Sequence, residues 1–432
     1  MTRAVDRLPN PLEIRPFDGP IDAVAEVPGS KSFTNRALVA AALARGTSEL
    51  NGVLDSDDTQ AMVGCLASIG VSIVHDLGAA TMIIEGTGGQ LPSVSAAIDV
   101  RQSGVTARFL VPVLALGHGR FTVDGHPQMR RRPIGDLMAA LQGLGVDVRS
   151  LSGDERLPLV LDSHGVEGRS ARVGGDVSSQ FLSGLLLASP CFERGVMIDV
   201  DGTLVSKPYV DMTLDTMAAF GAQFDRDGYA RFVVHPTGYT ATRYAIEPDA
   251  SAAAYAFGAA AITGGRVRVE GLGLNARQGD VAFVDALERM GCGVDRSDHA
   301  TEVRGPDTLT AIDIDMADFS DTAQTLAVVA AFAQGVTRVR GVGFIRRKET
   351  DRVGAVVREL QRCGVHAQED PDGFDVHGGT PHAATVDTYD DHRMAMSFAL
   401  FGLRVTGIRI ANPSCVSKTF PEYFSMLEGL RP

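Results

Sequence analysis

Apolar residues gather in six stretches along the chain, and a cluster of polar residues stands directly before each stretch. Within a stretch the apolar residues would cover every side of a helix, so each one predicts a helix that is buried all round. The six predicted helices span residues 37–44, 107–116, 181–188, 252–262, 323–333 and 394–402.

A second helix, amphipathic rather than uniformly apolar, follows each of the first five stretches and ends in glycine plus an apolar residue. The sixth copy of the pattern ends with the chain, after residues 422–427. The five glycines recur at intervals of about 70 to 76 residues, which indicates an internal repeat. They are Gly70, Gly145, Gly221, Gly291 and Gly364.

Short β-rich connections, such as residues 195–200 and 265–270, join the helices, so each repeat is predicted to be a mixed α/β unit. An open solenoid would leave a solvated surface along the stack, and the first helices are too apolar for that arrangement. We therefore expect an α/β fold in which closed groups of three units place helices inside and sheets outside.

The polar cluster of residues 27–36 begins the first repeat and suggests an anion site. Ser30 and Ser32 can each cap the helix that follows. Lys31 and Arg36 flank the free N–H groups of its first turn, and such a helix start favours a phosphate or a carboxylate.

Two other interpretations of this cluster are weaker. A capped surface helix with two solvated cations conflicts with the buried helix that the apolar residues predict, which is expected to stop at Gly46. A P-loop needs Gly-Lys with another glycine five residues earlier. Here Ser30 precedes Lys31, and Ala25 stands at the position of that glycine.

The composition limits what else the protein can be. A chain of 432 residues allows two or three domains with sizeable cores. A net charge of −13 argues against general binding to nucleic acid or anionic membranes, so cations for an anionic ligand must be gathered locally. Five scattered cysteines indicate neither a disulfide framework nor a zinc site. Without a membrane-length apolar run, or a signal peptide at residues 1–7, we expect a cytoplasmic protein.

The remaining polar clusters carry the candidate chemistry. Equivalent positions of repeated units fall at equivalent ends of a fold, so many helix N-termini and many cations would converge on one region. One helix dipole contributes only ~0.3–1 kcal/mol toward an anion, but several of them together with Arg and Lys can hold a multiply charged ligand.

Seven motifs stand in order along the chain: Pro28-Gly29-Ser30-Lys31 through Asn35-Arg36, Asp55-Ser56-Asp57-Asp58, Arg132-Pro133-Ile134, Ser178-Ser179-Gln180-Phe181, Lys348-Glu349-Thr350-Asp351-Arg352, Asp391-His392-Arg393-Met394-Ala395-Met396 and Lys418-Thr419. In these motifs the chain resembles, nearly from end to end, the family of 5-enolpyruvylshikimate-3-phosphate synthases, also called 3-phosphoshikimate 1-carboxyvinyltransferases. Several long motifs in the right order are far more specific than one short pattern.

The resemblance implies a two-domain, inside-out α/β barrel, in which each domain contains three repeated βαβαββ-type units with buried helices. The chain would start in one domain, cross to the other near Val27 and return near Glu247. One domain would comprise residues 28–246, and the other residues 1–27 and 247–432, joined by a two-strand hinge.

The resemblance also implies a reaction. The enolpyruvyl group of phosphoenolpyruvate would pass to the 5-hydroxyl of shikimate 3-phosphate, through a tetrahedral intermediate and with release of phosphate, as a step of aromatic amino acid biosynthesis. We expect no metal, no organic cofactor, no nucleic-acid or membrane partner, and a monomer.

Two sets of ligand-binding residues follow from the resemblance, motif by motif. The residues expected to bind shikimate 3-phosphate are Lys31, Ser32, Arg36, Ser178, Ser179, Gln180, Ser206, Tyr209, Asp321 and Lys348. Those expected to bind phosphoenolpyruvate are Lys31, Gly104, Arg132, Gln180, Arg352, Arg393 and Lys418.

The addition step needs a proton delivered to the methylene carbon and one taken from the hydroxyl, and the elimination step reverses both demands. We assign Asp321 as the base and Glu349 as the proton donor, with Lys31 as the third catalytic candidate. Asp321 could instead cap its helix, and Glu349, between Lys348 and Arg352, could form a first-turn ion pair. The residues alone favour neither reading, and the resemblance favours catalysis.

Three further residues keep alternatives open. His392 is more often a structural histidine beside Arg393 than an acid. Arg393 itself could be a buried ion-pair partner of Asp391. Tyr209 could stack on the ring of the acceptor or be a core residue at a helix start.

Several positions depart from the residues usual in the family. Gln102-Ser103-Gly104-Val105 stands where Asn-Ala-Gly-Thr is usual, Phe109 replaces Pro and Gln128 replaces Arg. Ser320 replaces Pro, and Phe344 stands where a ligand-binding Asn is common. These departures leave open a paralogue that acts on a modified shikimate. They also predict that glyphosate competes with phosphoenolpyruvate but binds less tightly than it does to the usual loop.

Two rival functions remain. UDP-N-acetylglucosamine enolpyruvyltransferase shares the fold and the donor, but it usually carries a cysteine in the loop before Arg-Pro. Residues 126–132 of this chain contain no cysteine. A non-catalytic repeat protein that binds anionic partners is the rival from another class, and the acid–base pairs among the cations count against it.

Overall fold

The computed structural model describes residues 4–431, so the first three residues of the predicted non-signal segment 1–7 lie outside it. Contacts divide the chain into two compact units. The central unit is Gly29–Ile246, and the terminal unit combines the residues before Gly29 with those after Ile246. Within residues 4–431, no helix is both long and apolar enough to cross a membrane.

Each unit alternates helices with short strands. The helices of the central unit are α1 (Lys31–Leu43), α2 (Asp57–Ser68), α3 (Gly104–Leu114), α4 (Pro127–Arg130), α5 (Gly135–Gly143), α6 (Ser179–Ala188) and α7 (Lys207–Ala219). Those of the terminal unit are α8 (Ala250–Thr263), α9 (Phe283–Arg289), α10 (Ala323–Ala330), α11 (Arg352–Arg362), α12 (His392–Ala399) and α13 (Tyr423–Gly429). Short 3-10 turns lie at Ala4–Arg7, Ser189–Cys191, Gly279–Ala282, Ser320–Thr322, Gly343–Arg347, Leu400–Leu403 and Pro413–Lys418.

The strands are short throughout. Those of the central unit are Ala44–Asn51, Ser72–Asp76, Thr81–Thr87, Ser95–Asp99, His118–Asp124, Asp147–Ser150, Leu159–His164, Ser170–Gly174, Val196–Asp201, Phe224–Asp227, Arg231–Val234, Tyr239–Thr240 and Arg243–Ala245. Those of the terminal unit are Leu12–Glu13, Asp22–Val24, Arg266–Glu270, Gly293–Arg296, Ala300–Arg304, Leu309–Thr310, Asp313–Asp315, Ala333–Gln334, Val336–Arg340, Ala367–Asp370, Gly373–His377, Thr385–Val386 and Arg409–Ile410.

Sheets in both units share one pairing pattern, in which a parallel pair is extended by two antiparallel strands. In one example, Ser95–Asp99 pairs in parallel with His118–Asp124, with Ser95 opposite Arg120. His118–Asp124 then pairs antiparallel with Leu159–His164, which pairs antiparallel with Asp147–Ser150. Because the pattern recurs around successive helix pairs, it is the three-dimensional counterpart of the sequence repeat.

The six uniformly apolar helices are buried, as predicted. In α1 every residue from Phe33 to Leu43 is buried, and α3, α10 and α12 are buried along their whole length. Each unit packs these helices into a hydrophobic cluster of its own. A helix that is apolar on every side has no face for solvent, which is why this part of the prediction depended so little on tertiary detail.

The five glycines that were predicted to end the second helices do so. Each helix stops two residues before its glycine, and each glycine has φ between +80° and +104°. In the first case, the N–H of Val71 donates to the carbonyl of Leu66 at 3.1 Å, the six-residue bond of a Schellman motif. Glycine adopts this left-handed conformation without a Cβ clash, so the repeat could be recognised by its glycines.

Several helix ends differ from the prediction. Most apolar helices begin earlier than their apolar stretch, because the polar residues before the stretch form the first turn. α10 ends at Ala330 rather than at residue 333, since the chain enters the strand Ala333–Gln334. Gly46 does not stop α1, which ends at Leu43. With φ +99°, Gly46 lies in the strand Ala44–Asn51, opposite Gly86.

Candidate active site

Serine side chains begin three buried helices of the central unit. Ser30 accepts the N–H of Phe33 at 3.4 Å, Ser103 accepts that of Thr106 at 3.3 Å, and Ser178 accepts that of Gln180 at 3.3 Å. Capping holds each first turn in place, so the polar side chains on it have defined positions. We call the starts of α1, α3 and α6, together with Lys31, Arg36, Arg108 and Arg132, the Lys31 cluster.

Lys31 stands on the first residue of α1 and pairs with a carboxylate. Its Nζ lies 3.3 Å from Oδ2 of Asp58, whose side chain is only 5% exposed. The backbone carbonyl of Asp58 accepts a hydrogen bond from the hydroxyl of Thr106 on α3 at 3.4 Å. The lysine is therefore tied to both α2 and α3.

Arg36, one turn further along α1, is 2% exposed. It donates to the hydroxyl of Thr213 at 2.8 Å, to the carbonyl of Ser32 at 3.0 Å and to the carbonyl of Tyr209 at 2.8 Å. The ring of Phe109 lies 5.2 Å from the guanidinium. Burial lowers the pKa of Arg36 to about 10, although Tyr209 opposes the change. All of these partners are electrically neutral groups.

Gly104 lies between two guanidinium groups at the start of α3. A Cβ at this position would be 2.5 Å from Nη1 of Arg132 and 2.6 Å from Nη1 of Arg108. Arg108 also donates to Oε1 of Gln180 at 3.0 Å and to the carbonyl of Pro133 at 3.0 Å. Glycine is thus needed for a close approach of two cations, an arrangement suited to a dianion such as a phosphate.

The other candidates of the central unit lie on the same helix starts. Ser179 opens α6 and is 5% exposed, and Ser32 is half-buried on α1. Ser206 precedes α7 in the left-handed conformation, with φ +54°. Tyr209 is half-buried, and its ring lies 6.0 Å from the guanidinium of Arg36. It is neither a fully buried core residue nor a fully exposed ring.

In the terminal unit, three carboxylates surround Arg352, and we call this group the Arg352 cluster. Its Nε lies 2.8 Å from Asp391, its Nη2 lies 2.8 Å from Glu349, and its Nη1 lies 3.3 Å from Asp321. Burial opposes the charge of Arg352, but the three carboxylates outweigh it and raise the pKa of the guanidinium. The cluster therefore brings together both residues predicted to transfer protons.

Arg393 completes the Arg352 cluster through contacts with Asp321. Its Nη2 lies 2.6 Å from Oδ2 of Asp321, and its Nη1 donates to the carbonyl of Asp321 at 3.0 Å. Asp391 instead caps α12, where it accepts the N–H of Arg393 at 2.9 Å, and gives its side-chain charge to Arg352. The side chain of Arg393 thus contacts Asp321, and that of Asp391 contacts Arg352.

The structure distinguishes between the two non-catalytic interpretations of the acid–base candidates, an ion pair for Glu349 and a helix cap for Asp321. The ion pair proposed as an alternative for Glu349 is present, with Arg352 three residues later. The helix cap proposed for Asp321 is absent: Asp321 lies in the turn Ser320–Thr322, and α10 begins after Thr322 without a side-chain cap. Asp321 is 19% exposed, so a ligand can reach it.

Three further candidates lie in the terminal unit, namely Lys418, His392 and Lys348. Lys418 is 4% exposed and lies in the turn Pro413–Lys418. His392 is 1% exposed, and its Nδ1 lies 3.6 Å from Oδ1 of Asp391. Lys348 is half-buried, and its Nζ lies 5.7 Å from the ring of Phe344.

The departures from the family pattern in the loop before α3 form contacts of their own. The side-chain amide of Gln102 lies 3.3 Å from Nδ1 of His126, which also accepts the N–H of Gln128. Ser103 caps α3, so the helix does not depend on a hydroxyl at Val105.

Sequence reasoning missed Arg108 and Asp280. Arg108 stands inside a stretch predicted to be buried on all sides, and a charge in such a stretch could have been taken as a sign of function. Asp280 lies in the polar residues before the second helix of the fourth repeat, a position equivalent to clusters that were considered. Its carboxyl is 3% exposed and accepts a hydrogen bond from Ser251.

Comparison with known proteins identifies the family. A family model described as EPSP synthase (3-phosphoshikimate 1-carboxyvinyltransferase) matches residues 18–427. The chain is 44% identical over 415 residues to a 3-phosphoshikimate 1-carboxyvinyltransferase of Nostoc punctiforme, covering 96% of this chain and 97% of the relative. It is also 44% identical over 418 residues to the enzyme of that name from Ralstonia pickettii, covering 94% and 96%.

Solved structures agree with the sequence relatives. An EPSP synthase of Acinetobacter baumannii has a TM-score of 0.83 at 25% identity and covers 97% of this chain and 98% of its own. The enolpyruvyl transferase NikO of Streptomyces tendae has a TM-score of 0.75 at 19% identity, covering 97% and 96%, which shows a shared fold alone. The α/β fold is thus an enolpyruvyl transferase fold. The chain belongs to the EPSP synthase family.

Proposed function

We propose that this chain transfers the enolpyruvyl group of phosphoenolpyruvate to the 5-hydroxyl of shikimate 3-phosphate and releases phosphate. The observation that carries the proposal is the Arg352 cluster, in which both predicted proton-transfer carboxylates, Asp321 and Glu349, contact one buried arginine. Two anionic substrates require cations, and the reaction also requires a base and an acid among them.

The acceptor, shikimate 3-phosphate, would be bound largely by the starts of α1, α6 and α7. The proposed residues are Lys31, Ser32, Arg36, Ser178, Ser179, Gln180, Ser206 and Tyr209, with Asp321 and Lys348 from the terminal unit. The uncompensated charge of Arg36 and the capped helix starts favour an oxyanion, because both present positive potential to it.

The donor, phosphoenolpyruvate, would be bound by guanidinium pairs. Arg132 flanks Gly104 in the central unit, and Arg352 and Arg393 lie together in the terminal unit. Lys31, Gln180 and Lys418 complete the proposed set. Arg108, which contacts Gln180 and lies next to Gly104, joins it on the same grounds.

The proposed chemistry is addition followed by elimination. The 5-hydroxyl oxygen attacks C2 of phosphoenolpyruvate while its proton passes to Asp321 and a proton from Glu349 reaches C3. This gives a tetrahedral intermediate that still carries the phosphate. Loss of phosphate from C2 and of a proton from C3 then restores the enol ether double bond. In this proposal Lys31, whose Nζ lies 3.3 Å from Oδ2 of Asp58, would stabilise the phosphate charge.

The finer architecture is also a proposal. We infer that each unit is an inside-out barrel of three βαβαββ-type repeats, and that residues 28–246 and residues 1–27 with 247–432 act as domains joined by a two-strand hinge. The shared sheet pattern and the buried helices support this view. A monomer in the cytoplasm, working without metal or organic cofactor, remains our expectation.

Release of phosphate from phosphoenolpyruvate tests the function directly. Shikimate 3-phosphate should support release, and UDP-N-acetylglucosamine should not. Arg132→Ala should mainly raise KM for phosphoenolpyruvate, because it removes one of the guanidinium groups that flank Gly104. Release only with UDP-N-acetylglucosamine or a modified shikimate would assign another acceptor, and no release with any acceptor would favour a non-catalytic anion-binding protein.

A further inference from the structure

The terminal unit contains a buried carboxyl group that the proposed reaction does not use. Asp280 lies in the turn Gly279–Ala282, which packs against α8 and against the turn Ser320–Thr322 that carries Asp321. The hydroxyl of Ser251, on the first turn of α8, donates a hydrogen bond to Oδ2 of Asp280. Packing of these elements therefore holds Asp280 near the candidate base.

The groups that face Asp280 shift the pKa of its carboxyl in opposite directions. Burial raises the pKa of Asp280 to about 7, and the negative charges of Asp321 and Asp249 add to the rise. The positive charge of Arg393 and the hydrogen bond from Ser251 oppose it. The proton affinity of Asp280 thus depends on the charges around it, and a change in any of these charges alters it.

Binding of the donor is such a change. In the proposed function, phosphoenolpyruvate brings an anion to Arg393 and Arg352, which already contact Asp321. The bound anion adds negative charge and takes up part of the positive charge of Arg393 that otherwise offsets Asp280. Carboxyl groups in that situation respond by binding a proton, and the buried one in a crowded pair binds it first.

We propose that Asp280 is a positioning residue for Asp321 that binds a proton when the anionic donor engages Arg393, so that Asp321 stays ionised as the base. This inference rests on the proposed function. The hydroxyl of Ser251 can serve both states, because it donates to an ionised carboxylate and accepts from a protonated carboxyl. The proton comes from solvent and returns to it when the products leave.

The test compares wild-type protein with Asp280→Asn, which is neutral at every pH. KM for phosphoenolpyruvate is measured at saturating shikimate 3-phosphate at pH 6 and at pH 9. The ratio of the wild-type KM to the variant KM cancels the titration of phosphoenolpyruvate itself. A rise of one unit in the pKa of Asp280 on donor binding makes this ratio about tenfold larger at pH 9 than at pH 6.

Asp285→Asn is the matched control, since Asp285 is a more exposed carboxylate in α9 that pairs with Arg296. Its ratio should not change with pH. A constant ratio for Asp280→Asn as well, with both proteins active, would overturn the inference and leave the proposed function intact. Absence of turnover in the wild-type protein with these substrates would instead overturn the proposed function.

Two further measurements extend the test, and the first of them does not need the Asp280→Asn protein. Ser251→Ala removes the hydrogen bond that lowers the pKa of Asp280, so the pH at which the wild-type KM rises should move upward. Because the pKa of Asp280 is higher in the folded than in the unfolded protein, wild-type stability is lost relative to Asp280→Asn as pH rises from about 4 to about 7. An unmoved KM profile in Ser251→Ala would contradict the inference.

Discussion

Arg36 and Arg352 are both 2% exposed, and both lie among candidate ligand-binding residues, yet their surroundings have opposite character. Arg36 donates to a hydroxyl and two backbone carbonyls, and burial lowers its pKa to about 10. Arg352 contacts three carboxylates, which overcome its burial and raise its pKa.

The difference teaches how two buried arginines can do different work. The partners of Arg36 are neutral, so its positive charge is not cancelled locally and attracts an anion without rearrangement. The charge of Arg352 is cancelled, so an incoming anion must compete with a carboxylate or cause one to bind a proton. We therefore expect the Lys31 cluster to act as a preorganised anion site and the Arg352 cluster to respond to its ligand.

The largest effect is expected when Glu349, one of the three carboxylates that contact Arg352, is replaced by an amide of the same shape. Glu349→Gln can no longer deliver a proton, so kcat should fall by roughly 10²–10⁴-fold with a smaller change in KM. Glu369→Gln, which alters an exposed ion pair with Arg346, is the matched control and should keep its kcat. An intact kcat with a raised KM in Glu349→Gln would show that Glu349 binds substrate rather than donating the proton.

The next effect concerns stability and compares the two arginines directly. Arg352→Met leaves Asp391, which is fully buried, without its guanidinium, and should cost about 3–5 kcal/mol at pH 7. Arg36→Met leaves only neutral acceptors behind and should cost about 1–3 kcal/mol. Thermal unfolding of both variants measures the difference. An equal or larger loss in Arg36→Met would remove the distinction between the two sites.

The smallest effect is expected on KM for phosphoenolpyruvate when a methyl group is added at Gly104, within the Lys31 cluster. Gly104→Ala places a methyl group against the guanidiniums of Arg132 and Arg108, which must move. KM for phosphoenolpyruvate should rise roughly 10–200-fold, with less change for shikimate 3-phosphate. Gly143→Ala, in α5 with nothing within 4 Å of the added methyl, should leave both KM values unchanged. Equal KM values in Gly104→Ala and wild-type protein would mean that the guanidinium pair does not bind the donor.

Local sequence patterns were enough for much of the fold. The buried helices α3, α10 and α12 and the glycines that end the second helices are confirmed, because each depends on residues within a few turns of one another. Gly46 failed as a helix stop since its strand pairs with Thr81–Thr87, a partner that lies outside any local window. The ligand assignments themselves remain predictions.

Charge partners could not be read from the sequence in the same way. The motif containing Asp391 and Arg393 suggested that the two pair through their side chains. In the structure, the side chain of Arg393 contacts Asp321, and that of Asp391 contacts Arg352, 39 residues away in the chain. An ion pair needs its atoms within a few ångströms, and the packing of α10, α11 and α12 sets those distances.

Periodicity, caps and glycine positions thus lie in the sequence, because they follow from the geometry of one helix or one turn. The identity of each buried charge's partner, and with it the contrast between Arg36 and Arg352, arises only when distant helices pack. Electrostatic energies in a desolvated interior change steeply over distances of an ångström or two, and local sequence does not specify distances that small.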